Sequence, residues 1–123
     1  MDPLFFSLGS LLGALSVGLG AFGAHGLRSR MPPDRLDNFE TAARYQMYHA
    51  LALLGASFAA GAWPGSALPV IAGWLFAAGI LLFCGSLYLL VFTGQRMWGA
   101  VTPLGGLAFI AGWICLVFAA WRV

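Results

Sequence analysis

Four apolar stretches, Leu4 to Ala24, Tyr45 to Ala62, Leu68 to Phe92 and Leu104 to Ala120, leave this chain few residues for anything else. Each reaches or approaches the roughly 20 residues that an α-helix needs to cross a hydrocarbon layer about 30 Å thick. In such a layer the backbone must satisfy its own N–H and C=O groups, so the stretches are predicted to be helices. Charged residues make up 8% of the 123 residues, against about 25% in soluble proteins. The expected fold is an all-α integral membrane protein of one domain, residues 1–123. It is a four-transmembrane-helix antiparallel bundle with helices at about 4–25, 35–62, 68–92 and 103–121. The first stretch begins MDPLFF without Lys or Arg and is longer than the roughly 7 to 15 apolar residues of a signal peptide, so it is expected to stay as helix one.

The polar connections set the boundaries. Helix one is expected to end near His25 and Gly26, because glycine is favoured just past a helix, and LRSRMPPD then forms a polar loop. Asp34, with Asp37 three residues on, is the expected N-cap of helix two. That helix starts amphipathic over Arg35 to Arg44, enters the bilayer at Tyr45 and leaves near Trp63 and Pro64. The short uncharged turn from Trp63 to Ala67 makes helices two and three antiparallel neighbours. After the second polar loop, TGQRMWGAVTP, Pro103 suits the first turn of helix four. Arg28, Arg30, Arg35, Arg44 and Arg96 lie on one side and Arg122 on the other, so loops one and three are expected in the cytoplasm. Both termini are then periplasmic or external, and in a bacterium the membrane is the inner (plasma) membrane.

Small residues line the spans at helical spacing: Gly9, Gly13, Ser16, Gly20 and Gly23 on helix one, and Ala52, Gly55, Ala59 and Ala62 on helix two. Ala72, Gly79 and Ser86 repeat the pattern on helix three, and Gly105, Ala108, Gly112, Cys115 and Ala119 on helix four. Such seams predict tight packing of backbones, since packing rather than apolar exclusion holds helices together in lipid. Gly18 to Gly23 matches GxGxxG, but a dinucleotide site needs a strand before it and an acidic residue after it. Neither is present, and the glycines belong to the packing seam. Cys84 and Cys115 fall inside spans and read as small apolar residues. With six Arg, no Lys and a net charge of +2 there is no basic stripe for nucleic acid.

In this topology the polar side chains converge on one leaflet. His25 ends helix one; Glu40, Arg44, Tyr45, Gln46, Tyr48 and His49 open helix two; Ser86, Tyr88, Thr93 and Arg96 close helix three; Thr102 precedes helix four. Glu40 and Arg44 are four apart with the acid first, a favourable helical pair. Two readings compete. In the first, the cluster caps, anchors and cross-links helix ends, as Tyr and Arg do at interfaces. In the second, His25 and His49 join Glu40 or Tyr45 around a metal, haem or proton. Two histidines without a third ligand, offset by about 6 Å in depth at 1.5 Å per residue, fit one iron poorly. No nucleophile elbow or paired-carboxylate pattern is present, so no catalytic residues, no metal and no cofactor are expected. Helix one, from Leu4 to Ala24, carries no charge, unlike the carboxylate-bearing first helix of small multidrug exporters.

Four ordered blocks carry a resemblance: GAFGAHGL at Gly20 to Leu27, NFETAARYQMYHALALL at Asn38 to Leu54, GSLYLLVFTG at Gly85 to Gly94 and TPLGGLAFIAGW at Thr102 to Trp113. Together they resemble the small bacterial membrane proteins catalogued as domain of unknown function 423, related to the eukaryotic transmembrane protein 256. Cys84 departs from the family pattern, where a small hydroxyl residue is expected. The resemblance implies a four-helix integral membrane protein and supplies no activity or cofactor. The function expected is therefore a non-enzymatic accessory or structural one. The cytoplasmic-side cluster would hold the bundle or dock a partner, whether the lipid bilayer itself, another membrane protein or a second copy. The alternative is a small-molecule or ion-handling protein, by transport or through a His-bound cofactor.

Overall fold

The computed structural model describes residues 1–121; Arg122, counted alone on the far side of the charge balance, lies outside the described residues. Helix α1, Pro3–Phe22, starts where Asp2 Oδ1 accepts from the backbone N–H groups of Leu4, at 2.9 Å, and Phe5, at 3.3 Å. That side chain satisfies two of the donors every helix start leaves open. At its other end the helix widens into a π-helical turn, Gly23–Leu27, and so ends beside the expected His25 and Gly26. A Cβ at Gly23 would meet the Phe39 ring at 2.8 Å, and one at Gly26 would meet the Phe22 ring at 2.8 Å, so the two glycines let both rings seat against the turn.

Helix α2, Pro33–Ala62, runs 30 residues, about 45 Å at 1.5 Å per residue. The flanking residue is Pro32 and no side chain caps it, so the expectation that Asp34 is the N-cap is corrected. Pro33 occupies the first helical position, where its fixed φ suits the helix and its missing N–H goes unused, and Asp34 lies inside the first turn. A third long helix, Leu68–Thr93, is built from α3 (Leu68–Gly79), a π-helical turn (Ile80–Cys84) and α4 (Gly85–Thr93). It ends at Gly94, whose φ of +71° is left-handed and whose N–H reaches Leu90 O at 2.8 Å, the conformation glycine adopts without a Cβ penalty. A 3₁₀ turn, Arg96–Ala100, leads into α5, Thr102–Ala119.

Among the described residues the chain is thus all-helical, with four long helices. Three of them, Pro3–Leu27, Leu68–Thr93 and Arg96–Ala119, are long and apolar enough to cross a membrane. Helix α2 is longer but opens with Asp34, Arg35, Asp37, Glu40 and Arg44.

The helices are arranged around the α2–α3 pair. Helix α1 packs along α2, and α5 packs along α3 and its π turn, whereas α1 and α5 are not packed neighbours. The main core gathers Phe5, Leu53, Phe76, Ile80, Cys84 and Phe109. A smaller cluster of Leu27, Phe39 and Val91 closes the end that carries the polar loops.

Small residues set the close approaches. A Cβ at Gly9 would stand 2.7 Å from Ala50 O, one at Gly105 would strike the backbone N of Phe83, and one at Gly112 would meet the Phe76 ring at 2.7 Å. On α2 the expected seam shifts. Ala52 and Ala59 are buried, but Gly55 faces open space and Ala62 is exposed, while Ala42, Ala50 and Ala56 make the contact. Because α2 has packed neighbours on both sides, its small residues are divided between two faces rather than gathered on one.

Candidate functional site

Gln46, Tyr88 and Leu12 form the first link between helices. Gln46 is 3% exposed, and in so apolar a setting an unpaired amide costs several kcal/mol. Its Nε2 donates to Leu12 O of α1 at 2.9 Å, and its Oε1 accepts from Tyr88 OH of α4 at 2.8 Å. One side chain therefore joins three helices. A second link is shorter and simpler: Ser86 Oγ of α4 and Thr102 Oγ1 of α5 are 2.6 Å apart.

His49 lies three residues further along α2 and is 5% exposed. Its Nδ1 is 2.8 Å from Tyr45 O, and its Nε2 is 3.2 Å from Trp113 Nε1. A carbonyl can only accept and an indole N–H can only donate. The two partners together select one form of the ring: neutral, with the proton on Nδ1 and Nε2 accepting. The ring also stacks on Phe109 at 3.5 Å between centroids and 6° between planes. Both nitrogens and one face are thereby committed to the protein. Beside them a groove of about 370 Å³ opens between α2 and α5, lined by Tyr45, His49, Phe83, Phe109 and Trp113 among others. Tyr45 stacks on Phe83 there, with centroids 4.8 Å apart.

The twelve polar residues singled out in the sequence resolve into separate places. Gln46, Tyr88, His49, Ser86 and Thr102 make the interhelical links, with Tyr45 supplying its carbonyl. Glu40 and Arg44 instead line a groove on the α1 side with Ser16, Gly20 and Met47. No ion pair within 4.0 Å joins them among the described residues, so the expected Glu40–Arg44 pair is corrected. Their positions on the helix rim leave both groups to solvent or headgroups, where such a pair gains little. Tyr48 is exposed and packs on Tyr45, centroids 5.5 Å apart. Thr93 bonds locally, Oγ1 donating to Leu89 O at 2.5 Å. Arg96 is exposed and lines a third groove with Asp34, Arg35 and Asn38.

His25 is exposed on the first π turn, while His49 is buried against Phe76, Phe109 and Trp113. The shared site considered for the two histidines therefore does not form. Among the described residues no three His, Cys, Asp or Glu side chains come together as metal ligands.

Two partners were missed. Phe109 and Trp113, four apart on α5, escape notice as ordinary apolar residues, yet they provide the stacking face and the donor for His49. The link at the opposite end was missed as well: Ser57 Oγ donates to Asp2 O at 2.6 Å and Asp2 N–H donates to Ser57 O at 3.2 Å. Nothing in the sequence but a lone serine in an apolar run signals it.

Long apolar helices whose buried polar groups bond one another define a small helical membrane protein. The chain belongs to the family described as protein of unknown function DUF423, which it matches over residues 19–106. It is 50% identical over 117 residues to the UPF0382 membrane protein YwdK of Bacillus subtilis, covering 95% of each chain. A UPF0382 membrane protein of Staphylococcus aureus is 47% identical over 120 residues, covering 97% of this chain and 96% of that one. One of Staphylococcus haemolyticus is 44% identical over 120 residues, with the same coverage. No solved structure matches the chain.

Proposed function

We propose that this protein is a non-enzymatic structural or accessory component of the membrane. In this reading all four long helices cross the bilayer, and the polar cluster ties them together while its outer members meet headgroups. The observation that carries the reading is Gln46, whose amide nitrogen donates to one neighbouring helix and whose oxygen accepts from another. A side chain serving a substrate keeps such groups directed into a cavity; here they point into neighbouring helices.

The crossing of α2 is supported by two features. Its segment Tyr45 to Ala62 has no Asp, Glu, Lys or Arg, and 18 residues make about 27 Å of helix. It also packs between α1 and α3, two helices apolar enough to span. The arginines of the first and third loops orient the protein with those loops in the cytoplasm and the termini outside, in the inner membrane of a bacterium.

The competing role, a His-bound cofactor or transported ion, needs a free nitrogen on His49. Nitrogen-15 NMR of the protein in detergent micelles, with metal analysis of the same sample, tests this. The expected result is a neutral His49 ring protonated at Nδ1 with no stoichiometric metal. A metal bound at His49, a Soret band in the visible spectrum or a proton resident on Nε2 overturns the structural reading.

A further inference from the structure

At the loop-bearing end of the molecule a groove of about 400 Å³ is lined by Asp34, Arg35 and Asn38 of α2, Leu90 of α4, and Gly94 and Arg96. Two arginines from different elements thus line one concavity. Among the described residues neither has an ion-pair partner within 4.0 Å. Arg35 is half-buried, and its guanidinium lies against Gly94, where any Cβ would strike Nη2. Its fork is therefore held in place at the groove by a position with no side chain.

The depth of the groove is set by the helix that ends there. Leu68–Thr93 has 26 residues, about 39 Å at 1.5 Å per residue, which exceeds a hydrocarbon core of about 30 Å. Gly94 then stands at the level of lipid phosphates. A guanidinium offers donors only, in a planar fork that matches phosphate oxygens.

We propose that this groove is a phosphate-binding site, with Arg35 and Arg96 on the phosphate and Asn38 beside it, and that its ligand is the phosphodiester of a membrane phospholipid. Asp34 on the same rim favours the lipid source. A phosphodiester stays a monoanion, whereas free phosphate at neutral pH is a mixture of monoanion and dianion, and its dianion meets stronger repulsion from the carboxylate. The inference deepens the headgroup-docking part of the proposed function and rests on it.

Native mass spectrometry of the full-length protein from mild detergent tests the site, with phosphatidylglycerol as the probe. The Arg35→Gln/Arg96→Gln variant is expected to retain the lipid at least about tenfold less well than the wild type, a loss of about 1.4 kcal/mol. Arg28→Gln/Arg30→Gln, which removes the same charge elsewhere in the first loop, is expected to retain it fully. Arg35→Lys/Arg96→Lys keeps the charge but not the fork and is expected to fall between. Equal loss in both glutamine pairs overturns the site in favour of diffuse attraction, and no loss in either overturns it outright. Displacement of the lipid by millimolar inorganic phosphate overturns the lipid assignment and gives the arginines a soluble phosphate instead. Far-UV circular dichroism checks that each variant keeps its helix content. Labelling of the loops from the two sides of the membrane reports separately on the four-span reading, so the two can fail independently.

Discussion

Replacing Gln46 by Leu removes two bonds between helices without opening a cavity, because the two side chains have similar volumes. Hydrogen bonds between membrane helices average about 0.6 kcal/mol and reach about 1.7 kcal/mol. The bonds to Leu12 O and from Tyr88 OH therefore predict a loss of about 1.2–3.4 kcal/mol. The groups left behind differ. Leu12 O keeps the Ser16 hydroxyl at 2.9 Å, but among the described residues Tyr88 OH has no other acceptor, so Tyr88 is the residue that exposes the coupling. In a cycle of Gln46→Leu, Tyr88→Phe and the double variant, the double variant should lose less than the sum of the singles, by about 0.6–1.7 kcal/mol. Reversible unfolding in mixed micelles, followed by tryptophan fluorescence and far-UV circular dichroism, measures all four species. Additivity within about 0.3 kcal/mol, or a Gln46→Leu protein as stable as the wild type, refutes the link.

The same assay checks four further expectations. Gly9→Ala should destabilise strongly, since its Cβ would stand 2.7 Å from the backbone oxygen of Ala50, whereas Gly18→Ala has nothing within 4 Å and should be neutral or stabilising by up to about 1 kcal/mol. His49→Ala, which removes a ring stacked on Phe109 and bonded by Trp113, should cost at least about 2 kcal/mol. Tyr45→Phe removes a hydroxyl that makes no hydrogen bond among the described residues and should change stability by less than about 0.5 kcal/mol. Ser86→Ala leaves Thr102 Oγ1 only a 3.4 Å contact to Trp98 O and should cost about 1 kcal/mol.

The helices were legible because a bilayer permits so few alternatives: an apolar run of span length has to be a helix, and some of its glycines, such as Gly9 and Gly105, mark close approaches while Gly18 and Gly55 do not. The cluster was legible as a set of residue types but not as a set of partners. Gln46 bonds a backbone carbonyl of Leu12, which no side-chain identity at that position announces, and a tyrosine 42 residues away. His49 looked available as a ligand because its donor, Trp113, reads as an ordinary apolar residue of its span. Its pairing with His25 fails because His25 is exposed on the π turn while His49 is buried. Asp34 missed the capping position by two residues because two consecutive prolines start α2 earlier than a capping pattern alone suggests. Which helices neighbour one another was not legible, since a small-residue seam does not say which helix it faces; α1 packs on α2 and α5 on α3.

The account depends most on α2 crossing the membrane with its polar side chains tied to the helices on both sides. Accessibility labelling decides it, using Ser29→Cys before α2 and Ala67→Cys after it in a Cys84→Ala/Cys115→Ala background, in intact cells with a membrane-impermeant maleimide. The account predicts that Ala67→Cys reacts from outside and Ser29→Cys only after permeabilisation. Reaction of both positions from the same side would contradict it.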